Sequence, residues 1–247
     1  MIDVADTNEA RRAQAEVAAG RLPERYAERW KAAFFERVQP AIGPGAAILD
    51  VGSGRTPTIP PDQRPPGCRY VGLDISATEL DAAPEGSYDV TIVGDLTERD
   101  ARLEDRFDLI VSWQVLEHVA SLESALENLY AYLRPGGRLV SQLSGRFAVF
   151  ALMSRILPHR VGVWLMKVLL DIEPETRFRT RFDRCYHRAL EQLLSGWQEH
   201  EIVPRYNSGG YFAFSRPLLR LYLVYENWLA CANRRNLATH YIIVGVK

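Results

Sequence analysis

The chain has 247 residues, 47% hydrophobic and 25% charged, an ordinary composition for a folded α/β domain with a sizeable core. Its 30 basic and 31 acidic side chains leave a formal net charge of -1, so no field of one sign is present to draw in a nucleic-acid backbone. Three scattered cysteines, Cys68, Cys185 and Cys231, form neither a disulfide framework nor a metal-binding CxxC pair and predict a reducing, cytoplasmic setting without a metal.

The N-terminal Met1–Asp6 shows no basic segment leading into an apolar stretch, so no secretory signal is expected. Residues 8 to about 20 are rich in Ala, Glu and Arg and predict a helix. A second helix is predicted from Glu24 to about Gln39, with Tyr26, Trp30, Phe34 and Val38 on one stripe; this helix is a candidate lid over a ligand edge. The apolar run ending in Ile48-Leu49-Asp50-Val51 and turning at Gly52-Ser53-Gly54 predicts a buried parallel strand that delivers a tight loop. Five prolines between Arg55 and Gly67 then deny the usual crossover helix its hydrogen bonds, so extended chain must make that connection.

Arg69–Ser76, Asp89–Leu96, Phe107–Trp113 and Arg138–Leu143 predict further strands. Between them lie a short helix from Ala77 to about Ala83 and an amphipathic one from about Ser121 to Leu133, which Arg134-Pro135-Gly136-Gly137 is expected to stop. Residues 145–183 read as an irregular insertion on the substrate side. Its apolar Phe147–Leu170 stretch carries Arg155, Arg160 and Lys167, too many charges for a transmembrane helix, and Arg177, Arg179, Arg181 and Arg184 form a basic patch fit to grip an anionic group. A helix from about His187 to Leu194, a strand from about Glu199 to Tyr206, a turn at Asn207–Gly210, a long helix from Pro217 to about Asn233 and a final strand, His240–Val246, complete the chain.

Three acids close consecutive strands: Asp50, Asp74 and Asp95. In a parallel sheet those ends open on one side, so the acids are expected to converge on one crevice. Asp74 is placed to accept ribose hydroxyls and Asp95 an adenine amino group, with Ile75 or Leu96 packed on the ring. Pro57 stands where the dinucleotide fingerprint G-x-G-x-x-G needs its third glycine, and no G-x-x-x-x-G-K-[ST] run exists. The crevice is therefore expected to take an adenosine without a long pyrophosphate.

Ile48–Gly54, Val71–Ser76, Gly94–Leu96, Phe107–Ser112, Val115–Val119 and Leu133–Leu139 together resemble the class I S-adenosylmethionine-dependent methyltransferases of the type 11 group. The resemblance implies a single doubly wound, mostly parallel seven-stranded α/β sheet, Rossmann-like, with an antiparallel last strand and a helical insertion after the fifth. It implies S-adenosyl-L-methionine as cofactor, with Asp50, Gly52, Ser53 and Gly54 under its methionine part, Asp74 on the ribose, Asp95 and Leu96 at the adenine, and Trp113 and Gln114 as walls, Ile75 remaining a candidate contact to the ring. Thr56 and the prolines depart from the family pattern of a third glycine and a helix.

Methyl transfer from a sulfonium asks mainly for alignment and exclusion of water; a hydroxyl acceptor also benefits from a base. His118 is the first candidate base, and His187, with Tyr186 beyond the insertion, is a candidate catalytic residue on the acceptor side. The acceptor expected is a small-molecule metabolite, methylated on O or N. Two alternatives are a lipid or membrane-bound acceptor, with the apolar Phe147–Leu170 and Leu218–Leu229 stretches on the bilayer, and a non-catalytic binding protein on the same scaffold.

Overall fold

Alternating apolar segments pair into seven strands: β1 (Ala47–Val51), β2 (Arg69–Asp74), β3 (Val90–Val93), β4 (Phe107–Trp113), β5 (Leu133–Ser144), β6 (Glu199–Arg205) and β7 (His240–Val246), in the order β3-β2-β1-β4-β5-β7-β6. The computed structural model describes residues 16–17, 19–28, 30–149, 151–152, 180–212 and 214–247. The helix predicted over 8–20 falls almost wholly outside these residues. So does most of the 145–183 insertion, including Arg177 and Arg179.

Strands β1 to β5 run parallel, and β7 is antiparallel to both β5 and β6. This is the doubly wound sheet expected, and the order reverses between β1 and β4, where such sheets hold ligands. Strand β6 points the same way as β5, so its end at Arg205 and the start of β7 at His240 share one edge with the ends of β1 to β5.

The sheet is covered on both faces. Leu49 and Val51 of β1 enter the core beneath α3 (Leu122–Tyr132) and α4 (His187–Leu194), whereas Ile48 enters the opposite core with Phe34 and Val38 of α1 (Ala32–Val38). Helix α3 starts where Ser121 accepts a bond from the Ser124 N–H, and it buries Leu122, Leu126 and Leu129. Each of those leucines contributes roughly 1.5–3 kcal/mol of burial. Helix α2 (Ala77–Asp81) is capped by Ser76, and α5 (Arg216–Cys231) has Pro217 in its first turn.

The prolines do exclude a helix between β1 and β2: the loop holds only a 3-10 turn at Pro61–Gln63. Ile59 from this loop joins the α1-side core in the place the crossover helix would fill. Two expectations need correction. The helix predicted from Glu24 is broken into a 3-10 turn, Glu24–Tyr26, an irregular stretch and α1, because Arg25, Tyr26, Glu28 and Trp30 are held by tertiary partners at the sheet edge. Arg134–Gly137 does not separate helix from strand either; β5 begins at Leu133 and passes through a bulge opposite Phe107–Leu109. A Cβ on Gly137 would lie 2.9 Å from the carbonyl oxygens of Phe107 and Arg134, so the glycine serves the bulge.

Candidate active site

The turn after β1 depends on its two glycines. Gly52 has φ +68° and Gly54 φ +50°, a region costly for other residues. The Gly52 N–H donates to the Leu73 carbonyl at 2.7 Å, which ties the turn to β2. A Cβ on Gly52 would sit 2.3 Å from a Val115 methyl, so the segment after β4 lies directly against the turn. A Cβ on Gly54 would come within 3.3 Å of the Glu79 Cβ and 3.6 Å of Asp74 Oδ2. Ser53 between them is buried, and its hydroxyl lies 3.5 Å from the Asp50 carbonyl.

Asp50 takes a task other than the one its sequence position implies. Alternation along β1 puts it on the face of Ile48, toward the proline-rich loop. Its carboxylate is fully buried there and accepts from the Thr58 N–H at 2.6 Å, the Thr58 hydroxyl at 2.7 Å and the Tyr70 hydroxyl at 2.6 Å. Tyr70 in turn accepts from the Ile59 N–H at 3.0 Å, and the Arg64 guanidinium lies over its ring at 3.5 Å, donating to the Ile59 carbonyl. Burial raises the Asp50 pKa from 3.8 to about 6 despite these donors. The acid thus pegs the loop to the sheet, and the turn inherits its position from that peg.

Asp74 stays beside the glycine turn. It is buried, its Oδ1 accepts from the Ser76 N–H at 2.8 Å, and the Gly54 N–H also points to its carboxylate. Desolvation pushes its pKa up, and the backbone donors oppose that. Beside it Ile75 is 58% exposed, and so is Val93, at 57%, opposite Asp74 on β3: two apolar side chains left in the open at one strand edge. Asp95 accepts from the Thr97 N–H and hydroxyl at 2.8 Å, both on Oδ1; Oδ2 takes no bond among the described residues. Leu96 is turned into the core, and its carbonyl accepts from Asn128 Nδ2 at 2.8 Å, so Ile75 and not Leu96 is the side chain free to meet a ring. A cavity of about 290 Å³ flanks β3 and reaches Asp95, but neither Asp74 nor the glycine turn lines it.

Strand β4 delivers Trp113 and Gln114. The Trp113 ring packs edge-on against Phe34 (5.1 Å) and Trp30 (6.3 Å), and Gln114 adopts φ +57° while its N–H donates to the Gln142 carbonyl. Glu117 is buried; its Oε1 accepts from the Ser144 N–H at 3.1 Å, and desolvation raises its pKa. The neighbouring His118 Nδ1 and both amide atoms of Gln142 are buried and take no partner among the described residues. His187, the first residue of α4, is not brought to this group. It lies 3.8 Å from Glu191, within the influence of Arg235, and burial lowers its pKa. Among the described residues no cluster of His, Cys, Asp or Glu is arranged to hold a metal, and no helix is long and apolar enough to cross a membrane.

Sequence reasoning named Tyr26 and Trp30 on a candidate lid but missed the contacts that hold the site together. Tyr88 lies flat on Gly72, where a Cβ would meet its ring at 2.8 Å, and its hydroxyl donates to the Gly54 carbonyl at 3.0 Å. Arg55 and Glu79 close a two-pronged ion pair (2.6 and 2.7 Å) from the proline loop to α2. Residues 24–28 and 30–31 form a strap. Tyr26 and Arg25 donate to the buried Glu226 carboxylate at 2.6 and 2.7 Å, and Glu226 also accepts from the Ser208 N–H at 2.8 Å. Arg25 Nε reaches the Tyr206 carbonyl, and Arg205 donates to Glu28 at 3.0 Å. Trp30 then lies between His240 (4.9 Å) and Trp113, so the strap spans from the β6–β7 end of the edge to the end of β4. None of these partners is near in sequence, which is why periodicity did not announce them.

Known proteins share this fold. Residues 20–201 match the family model described as a methyltransferase domain. Haemonchus contortus phosphoethanolamine N-methyltransferase 2, solved with S-adenosyl-L-methionine, is similar over 88% of this chain and 52% of its own (TM-score 0.53, 14% identity). The chain thus spans about half the length of that relative. A SAM-dependent methyltransferase from Archaeoglobus fulgidus is similar over 87% of this chain and 92% of its own (TM-score 0.51, 16% identity). No curated protein matches the sequence. The chain belongs to the methyltransferase-domain family, and its sheet is the one on which S-adenosylmethionine-dependent methyltransferases are built.

Proposed function

We propose that this chain binds S-adenosyl-L-methionine across the ends of β1, β2 and β3 and methylates a small-molecule acceptor on O or N beyond the end of β4. The observation that carries the reading is the juxtaposition of the Gly52–Gly54 turn, the Asp74 carboxylate and the exposed Ile75. A positive-φ turn without side chains fits a bulky ligand laid close to backbone; a buried acid at the next strand end fits a ribose diol, and an open apolar side chain fits one face of a purine. Asp95 Oδ2 is in reach of the same strand edge. Asp50 supports the turn through Thr58 and Tyr70 and makes no contact in this scheme.

The bound cofactor would supply a methyl group already activated on a sulfonium. The protein's part is to orient the acceptor and keep water away, and the strap with Trp30 over the end of β4 does both. His118 Nδ1, buried beside Glu117 and without a partner among the described residues, is the candidate base for a hydroxyl acceptor; His187 lies with Glu191 and is not used. Three scattered cysteines, too few for a disulfide framework, support a reducing, cytoplasmic setting. Calorimetric titration with S-adenosylhomocysteine tests the reading. Asp74→Ala is expected to weaken binding at least about tenfold, the loss of hydrogen bonds to a charged acceptor. Equal affinities in wild type and variant would reject the placement.

A further inference from the structure

Helix α5 has two unlike faces. Tyr222, Leu223, Glu226 and Leu229 are buried against the strap and the turn after β6. On the opposite side Leu218, Leu221, Val224 and Trp228, together with Phe214 just before the helix, are between 38% and 68% exposed. At 100° per residue Leu218, Leu221, Val224 and Trp228 fall within an arc of about 120°, along a helix about 24 Å long. An aligned row of this kind is unlike the single exposed apolar residues scattered over any soluble surface.

Along the stretch that carries the row, the exposed charges have one sign. Between Phe214 and Arg235 the only acid is Glu226, which is buried and paired with Arg25, whereas Arg216, Arg220, Arg234 and Arg235 are all exposed. Arg216 and Arg220 flank the arc on one side, and the Arg234 guanidinium lies 5.7 Å over the Trp228 ring at its far end. Arginines beside an apolar stripe with a tryptophan at its rim have the composition of a helix that lies in a bilayer interface, with aliphatic side chains among acyl chains and guanidinium groups at anionic headgroups. A surface for a second copy of a chain with net charge -1 gains nothing from an all-basic border.

We propose that the outer face of α5 docks on an anionic lipid surface, with the helix lying in the plane of the interface. This goes beyond the methyl-transfer reading and does not rest on it. The test is flotation of the full chain with vesicles of phosphatidylcholine, with and without phosphatidylglycerol. The protein is expected to float with the anionic vesicles, less so as salt rises, and not with the neutral ones. The double variant Leu221→Asp, Val224→Asp changes two 68%-exposed side chains and is expected to abolish flotation at an unchanged thermal midpoint. Arg216→Ser with Arg220→Ser is expected to weaken partition by roughly fivefold per arginine. Absence of flotation with anionic vesicles, or flotation that survives the aspartate variant, would overturn the proposal. So would self-association in sedimentation velocity that the aspartate variant removes while lipid binding is nil, since that outcome gives the face to a second copy.

Discussion

Replacing Asp50 by Asn separates a loop peg from a cofactor ligand. In the structure the Asn carbonyl can keep the Tyr70 hydroxyl and the Thr58 N–H, and its amide can donate to the Thr58 hydroxyl oxygen, so the geometry survives without a group that titrates. Because burial holds the Asp50 pKa at about 6 against an ordinary 3.8, the folded chain keeps this proton longer than the unfolded chain. Its contribution is fully present below pH 3.8 and is lost as pH rises through about 6, a loss of ~3 kcal/mol at about 1.4 kcal/mol per pH unit. His240 acts in the opposite sense. Burial lowers it from 6.5 to about 3, so its contribution is present above pH 6.5 and is lost as pH falls toward 3. The two slopes mask each other in the wild type, and the difference between wild type and variant isolates Asp50. Urea unfolding across this window should show Asp50→Asn gaining up to ~3 kcal/mol on the wild type as pH rises from about 4 to 7. Affinity for S-adenosylhomocysteine should stay within about threefold, less than the loss of one hydrogen bond to a charged group. A variant that tracks the wild type at every pH, or one that loses cofactor affinity as Asp74→Ala does, refutes the peg.

Gly52→Ala should destabilise by ~2–4 kcal/mol in denaturant melts, since a Cβ there meets both the positive φ and the Val115 methyl at 2.3 Å; a neutral substitution would mean that the turn can relax. His240→Asn should flatten the acid limb of the stability curve below pH 6.5, and an unchanged limb would show that this imidazole is not held neutral by burial. Glu226→Gln leaves Arg25 and Tyr26 without their carboxylate and should cost ~2–4 kcal/mol, with proteolysis near Leu22–Lys31 accelerating before global unfolding. Unchanged protection of that segment would show that the strap is held by other contacts. Tyr88→Phe removes the hydroxyl on the Gly54 carbonyl and should lower cofactor affinity by a few-fold at a cost to stability of ~1 kcal/mol, as titration and melting will show.

The family resemblance implied the cofactor class, whereas the repetition of short apolar segments closed by Asp50, Asp74 and Asp95, with glycines after the first, sufficed for the strands and their shared edge. Those are consequences of local alternation and of chain direction in a parallel sheet, and both are written in consecutive residues. Tertiary structure alone decided which of the three acids meets the glycine turn. Asp50 is drawn away because Thr58 and Tyr70 bring uncompensated donors to its face of β1, and a buried donor takes the acceptor that packing places beside it. Packing likewise decided that residues 24–28 and 30–31 are a strap and not a helix. Their partners, Glu226, Arg205 and His240, lie about 180 to 210 residues away along the chain, and bonds in a buried site outweigh the few tenths of a kcal/mol per residue by which helix propensities differ.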